Sequence, residues 1–218
     1  MNDLYLLGGP PRTAKTTIMS AMVAERKIQF IPADAVEHGL RNVLTGEPHQ
    51  MLRHIELNGQ AEHKASITED GKMKPFSNQG TESELTLQAI IGMIDYYRRN
   101  NTSIAFEGAA ITPTWVSNLN IANLTIRAAF VGYTQPSHAN SVIAYAKDNS
   151  DDWINDWLEN EGGNETKIRE WIAKQTDKCL SLKAQAEEYD YPFFDISTQP
   201  FEKYISSVQG YFLGDTDR

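Results

Sequence analysis

Residues 4–17, LYLLGGPPRTAKTT, constrain the fold of this chain more than any other stretch. An apolar run, Leu4–Leu7, enters a turn rich in glycine and proline, and Thr16 to Ala24 reads as a helix. Strand, turn and helix in that order is the setting in which the pattern Gly-x-x-x-x-Gly-Lys-Ser/Thr cradles phosphate. Here the loop runs Gly9, Pro10, Pro11, Arg12, Thr13, Ala14, Lys15, Thr16 and on into Thr17, with alanine where the second glycine normally stands. Successive backbone N–H groups in such a turn face an anion, and the positive end of the following helix assists them. In that geometry Lys15 reaches the β- and γ-phosphates and the Thr16 hydroxyl ligates Mg²⁺. The plain alternative is a Gly-Pro turn with Lys15 solvated in the first helical turn, and the flanking strand and helix argue against it. Ala14 leaves one question open. Its methyl group resists both a positive φ and a close backbone approach, so a loop that needs only space tolerates it and one that needs a left-handed residue is distorted.

The rest of the chain alternates strands with helices. Strands are expected at Leu4–Leu7, Ile28–Ile31, Ser103–Phe106, Ile126–Gly132 and Pro192–Ile196. Helices are expected over 15–26, over 82–99 with Leu85, Leu87, Ala89, Ile90, Ile94 and Tyr97 on an apolar face, and over 150–160 and 164–189. This alternation implies a parallel sheet covered by helices on both faces, with ligands gathering at the carboxyl ends of the strands. A length of 218 residues suits one domain, 1–218. Residues 45–81 are polar, glycine-punctuated and long for a connection, which points to a substrate cap or other functional insertion. A lid is expected near 145–170.

Two acids follow strands on the side where the sheet should open toward a nucleotide. Asp34 comes after IQFIPA, and Glu107 ends SIAF and begins the turn EGAAITP. Phosphoryl transfer needs one carboxylate to accept or orient the acceptor hydroxyl, and another commonly holds the metal's water shell. Asp34 could instead cap the helix AVEHGLRNVL. An acid at the end of a buried apolar strand, as Glu107 is, needs a partner.

Taken together, GGPPRTAKTT, PADAVEHGLRNVL and the helix leading into IAFEGAAITP resemble the small P-loop kinases of adenylate-kinase type. Within them the chain is most similar to the 2-phosphoglycerate kinase, zeta-toxin and chloramphenicol phosphotransferase group, and EYDYPFFDIS is similar to the last helix and strand of that fold. The resemblance spans most of the chain and is specific at residues 8–17, 34–41 and 104–113. It implies an α/β, three-layer P-loop NTPase fold with a five-stranded parallel sheet. It also implies ATP with Mg²⁺ as phosphoryl donor and a small hydroxyl-bearing acceptor. Residue by residue, Lys15 and Thr16 match the phosphate and metal positions, Asp34 the catalytic base, and Glu107 the glutamate of an EG turn near the acceptor. The chain departs from this pattern at Ala14 and in lacking a Walker B aspartate.

A kinase of this kind also needs cations over the transferring phosphate, often on a closing lid. The expected lid and following helix, 147–178, offer Lys147, Lys167, Arg169, Lys174 and Lys178. Arg169 is the catalytic candidate because guanidinium geometry matches phosphate oxygens, set against the plain reading of a solvated helix charge in acidic surroundings. Arg12 is placed to contact nucleotide or acceptor, and Arg41 is either an anion-binding residue or an exposed helix charge. His38, His49, His54, His63 and His138 show neither the pairing nor the cysteine company of a zinc site and read as structural or surface residues. The single cysteine, Cys179, reads as buried and inert. Trp153, Trp157 and Trp171 read as helix packing.

A net charge of −9 argues against a general nucleic-acid binder, and no stretch approaches membrane-spanning length. No signal peptide is apparent, so a cytoplasmic protein is expected. The leading expectation is therefore an ATP-dependent kinase of a small alcohol. The competing expectation is a nucleotide-binding regulatory or partner-binding protein with weak hydrolysis, favoured by Ala14 and the absent Walker B aspartate.

Overall fold

The computed structural model describes residues 2–43, 64–67, 73–76, 81–149, 152, 154–155, 158 and 165–214. The strands in chain order are β1 (Asn2–Gly8), β2 (Gln29–Pro32), β3 (Lys64–Ile67), β4 (Met73–Phe76), β5 (Ile104–Gly108), β6 (Leu124–Gly132) and β7 (Phe193–Asp195). The helices are α1 (Lys15–Arg26), α2 (Ala33–Val43), α3 (Thr81–Arg99), α4 (Pro113–Ser117), α5 (His138–Asp148), α6 (Glu165–Glu188) and α7 (Phe201–Leu213). Five strands form one parallel sheet in the order β2-β5-β1-β6-β7. All five were expected from their apolar runs, with ends displaced by a residue or two. β3 and β4 form a separate antiparallel pair within 45–81. The remainder of that segment, 45–63, 68–72 and 77–80, lies outside the described residues, as do Trp153 and Trp157.

The strands are buried on both faces, which is why they read as continuous apolar runs. Side chains alternate across the sheet with period two. Leu4 and Leu6 join Ile104, Phe106, Ala128 and Phe130 on one face, against Val36 of α2 and Ile90 and Ile94 of α3. Tyr5 and Leu7 join Ala105, Ala129 and Val131 on the other, against Ile18, Met19 and Met22 of α1 and Tyr204, Val208 and Phe212 of α7. Each large apolar side chain buried this way contributes about 1.5–3 kcal/mol. A third cluster joins Tyr133, α5 and α6, and contains Cys179, which is fully buried as its helical spacing indicated. Trp171 packs against the same cluster.

Register assembles the site. Leu7 pairs with Glu107, and Glu107 pairs in turn with Pro32, so β1, β5 and β2 end level with one another. The loop after β1, Glu107 and the start of α2, which carries Asp34, therefore meet at the carboxyl end of the sheet. Close packing fixes the exit of β1. A Cβ on Gly8 would lie 2.2 Å from the Ile111 carbonyl oxygen and 2.6 Å from the Phe130 ring.

Gly8→Ala is accordingly expected to lower stability by about 1–3 kcal/mol or more, the usual cost of forcing atoms into a filled core. Urea unfolding measures this, and an unchanged midpoint would mean that β1 has room to shift.

Candidate functional site

The loop between β1 and α1 uses two left-handed residues that are not glycine. Arg12 has φ 68°, and Ala14, immediately before α1, has φ 56° and ψ 24°. A side-chain-bearing residue in this region costs roughly 1–2 kcal/mol, so the surroundings must impose the conformation. They do so by hydrogen bonds to the loop's carbonyls. The Thr13 hydroxyl and the Lys15 ammonium both donate to the Pro10 carbonyl, at 2.9 and 2.8 Å. His138 Nε2 lies 3.0 Å from the Arg12 carbonyl oxygen, and the Tyr204 hydroxyl donates to the Thr13 carbonyl at 2.6 Å. The question that Ala14 posed in the sequence has a definite answer. The position is left-handed, and the loop keeps its shape around the alanine.

Beside the loop stands a small cluster of charge. Thr16 Oγ1 donates to Glu107 Oε1 at 2.8 Å, and Lys15 Nζ lies 4.0 Å from Glu107 Oε2. Glu107 is the last but one residue of β5, inside the strand rather than in the turn after it, and is 3% exposed. Burial pushes its carboxyl up from the usual range, against the pull of Lys15 and the Thr16 hydroxyl. Burial likewise pushes the Lys15 ammonium down, opposed first by Glu107 and then by Asp34. For both partners desolvation outweighs the pairing, as expected of an ion pair in a dry site. Asp34 lies in the first turn of α2, is exposed, and acts through its charge on both members of the pair. It begins within the helix and is not its cap.

Lys15, Thr16, Asp34 and Glu107 line one cleft of about 800 Å³, together with the loop residues from Pro11 to Thr17. The far wall comes from α5 and from the segment after β7, including Tyr145 and Phe201. Arg169 is not brought there. Its side chain is 48% exposed, donates to Asn140 Oδ1 at 2.6 Å and pairs with Glu165 at 3.1 Å. Lys147 pairs with Glu165 at the same place, while Lys167, Lys174 and Lys178 are exposed on α6. None of these four lysines lines the cleft. The cation held beside the loop is Arg12, which forms a two-pronged ion pair with Asp152. The Arg41 side chain lies outside the described residues.

Three residues stand at the site where the sequence reading assigned them no part: His138, read as structural or surface, Tyr204 and Asp152. His138 opens α5, and burial pushes its imidazole down from the usual value. Its position just after β6, at the ligand-gathering end of a parallel strand, was the available signal. Tyr204, on α7, belongs to an apolar set with Val208 and Phe212 spaced for one helix face. Asp152 had no signal, since its partner is 140 residues away.

Comparisons with solved structures decide the fold. A shikimate kinase from Bacteroides thetaiotaomicron matches with a TM-score of 0.50 over 95% of this chain and 96% of its own, at 16% identity. A gluconokinase from Sinorhizobium meliloti 1021 matches with a TM-score of 0.50 over 99% of this chain and 94% of its own, at 11% identity. This chain has a three-layer P-loop NTPase fold, of the kind found in small P-loop kinases. At such identities the likeness extends to the fold alone. No protein-family model and no curated protein matches the chain. Among the described residues, no helix is long and apolar enough to cross a membrane.

The residues present fit a nucleoside polyphosphate with Mg²⁺. The cleft is within the roughly 300–1,000 Å³ range of small-ligand sites. Lys15 bends back over the loop, and the acids that act on it are Glu107 first and then Asp34. The Thr16 hydroxyl and the Glu107 carboxylate are hard oxygen donors, the type Mg²⁺ prefers, and Mg²⁺ takes most of its other ligands from water and phosphate. Among the described residues there is no larger cluster of acids, histidines or cysteines that could hold a metal.

Because Ala14 is held left-handed, Ala14→Gly is expected to raise stability by about 0.5–1 kcal/mol, the relief of strain being partly offset by a freer unfolded chain. Urea denaturation reads the shift directly, and a lower midpoint would contradict a strained alanine.

Proposed function

We propose that this protein is an ATP-dependent phosphotransferase that moves the γ-phosphate of ATP to a hydroxyl of a small acceptor. The observation that carries the reading is the hydrogen bond from Thr16 to Glu107 beside Lys15, with Asp34 on the same cleft. A phosphate loop alone indicates nucleotide binding. A loop flanked by two carboxylates in different environments also provides for an acceptor. Buried Glu107 is suited to a fixed electrostatic task, and exposed Asp34 to exchanging a proton.

In this proposal the amides of Arg12 to Thr16 hold the polyphosphate, and Lys15 stabilises the charge that develops between the β- and γ-phosphates. Thr16 would hold Mg²⁺, and Glu107, in the place a Walker B aspartate would serve, would orient the metal's water shell. Mg²⁺, when bound, neutralises charge on the phosphate oxygens. Asp34 accepts the proton of the acceptor hydroxyl as that oxygen attacks the γ-phosphorus and the bond to the β–γ bridging oxygen breaks. Residues 45–81 would cap the acceptor and 145–170 would serve as the lid. Arg12 replaces Arg169 as the proposed cation at the phosphates, because it is on the loop itself.

The names of the structural neighbours, kinases of shikimate and gluconate, favour a small-molecule acceptor by analogy of fold. The resemblance at 8–17, 34–41 and 104–113 extends the proposal to the 2-phosphoglycerate kinase, zeta-toxin and chloramphenicol phosphotransferase group. A purely regulatory nucleotide binder was favoured by Ala14 and by the missing aspartate. The intact left-handed loop and the Glu107–Thr16 bond weaken both grounds.

The test is ATP consumption with a panel of hydroxylated metabolites, for the wild type, Asp34→Asn and Lys15→Ala. Asp34→Asn is expected to lose at least about a hundredfold in transfer while keeping ATP affinity, and Lys15→Ala to lose turnover and binding together. Transfer that survives unchanged in Asp34→Asn would remove that residue from the reaction.

A further inference from the structure

His138 and Tyr204 come from distant parts of the second half of the chain, yet both bond the loop between β1 and α1, His138 from the cleft wall and Tyr204 from the buried side. They bond consecutive carbonyls, those of Arg12 and Thr13. A trans peptide is planar, with its C=O and N–H pointing in opposite directions. A donor that holds the Arg12 carbonyl therefore also aims the Thr13 N–H, and one that holds the Thr13 carbonyl aims the Ala14 N–H. Tyr204 lies wholly buried against the sheet, so the amide it turns away from itself faces the cleft side, where Ala14 lies.

These two peptides matter more here than in a glycine-rich loop. Pro10 and Pro11 have no N–H, so after Gly9 the loop's donors resume only at Arg12. Arg12 and Ala14 sit in a conformation that side-chain-bearing residues avoid, so the backbone has little intrinsic preference for holding it. Both donors are themselves fixed. The His138 ring stacks on Tyr133, with centroids 4.5 Å apart and planes at 27°. Burial keeps the imidazole neutral, and its carbonyl partner then requires the single ring proton on Nε2. Burial also holds the Tyr204 hydroxyl protonated, as a donor.

We infer that His138 and Tyr204 are positioning residues for polyphosphate binding: by holding the Arg12 and Thr13 carbonyls they fix both peptides of the left-handed turn, and Tyr204 thereby aims the Ala14 amide at the anion. The inference rests on the phosphate-loop reading above and assigns these side chains a part in it. They supply from outside the loop the order that a second glycine would otherwise permit from within.

The experiment is calorimetric titration of the whole chain with inorganic pyrophosphate and Mg²⁺, with a thermal melt of each variant. Tyr204→Phe keeps the buried ring and removes only the hydroxyl. His138→Gln and His138→Asn carry the same amide, but only glutamine reaches the position of Nε2. Tyr204→Phe and His138→Asn are each expected to bind pyrophosphate about tenfold more weakly, and His138→Gln to stay within about twofold of the wild type. A structural role alone would shift the melts of both histidine variants and leave their affinities alike. Equal affinity in Tyr204→Phe and the wild type, or glutamine and asparagine behaving alike, would overturn the inference while leaving the loop reading intact. A wild type that binds neither pyrophosphate nor ATP would overturn both.

Discussion

Glu107 lies inside β5 behind Ile104, Ala105 and Phe106, all buried, and a carboxylate in that position is tolerable only if its charge is answered. The Thr16 hydroxyl and the Lys15 ammonium answer it. Neither the acid nor the lysine could occupy this place alone, because removing one partner of a buried pair typically costs about 3–5 kcal/mol. The pairing ties the first turn of α1 to the end of β5 and so anchors the far end of the loop that leads into α1. It also keeps two opposite charges partly desolvated, a condition in which a third charged group arriving in the cleft interacts with both strongly.

The loop achieves its shape by an unusual division of labour. Most of the conformational freedom that glycine would provide is absent at positions 12 and 14, and two prolines have removed backbone donors at its start. Rigidity comes instead from four side chains bonded to three carbonyls. Two of those side chains, Thr13 and Lys15, belong to the loop. The other two arrive on α5 and α7, after most of the sheet has been traced. Strain at the site is therefore carried by the packing of the whole domain, as is common where a backbone must present a fixed face to a ligand.

Much of this was legible in the residues. The five strands announced themselves as short apolar runs because a parallel sheet with both faces covered leaves no polar alternation to read. The long helices α1, α3 and α6 appeared at nearly their observed limits. The contribution of Asp34 and Glu107 to one cleft followed from their places after adjacent strands, and the register confirms that they meet. α5 and α7 were not legible as helices, the first because its apolar positions are small and broken by polar residues, the second because Ser206, Ser207 and Gly210 interrupt its apolar positions. Arg169 had the chemistry and the neighbourhood expected of a lid cation, but helix α6 turns it toward Asn140 and Glu165, and it does not line the cleft.

What the sequence determined by itself was local: a strand, an anion-sized turn and a helix, with acids at strand ends, each dictated by apolar periodicity and by the backbone chemistry of glycine and proline. What only the tertiary structure decided was which distant side chains would meet that turn. His138 and Tyr204 reach it across 126 and 191 residues, and Asp152 reaches Arg12 across 140. No periodicity encodes such meetings, because they depend on where packed helices deliver their ends once two buried faces of one sheet have been covered.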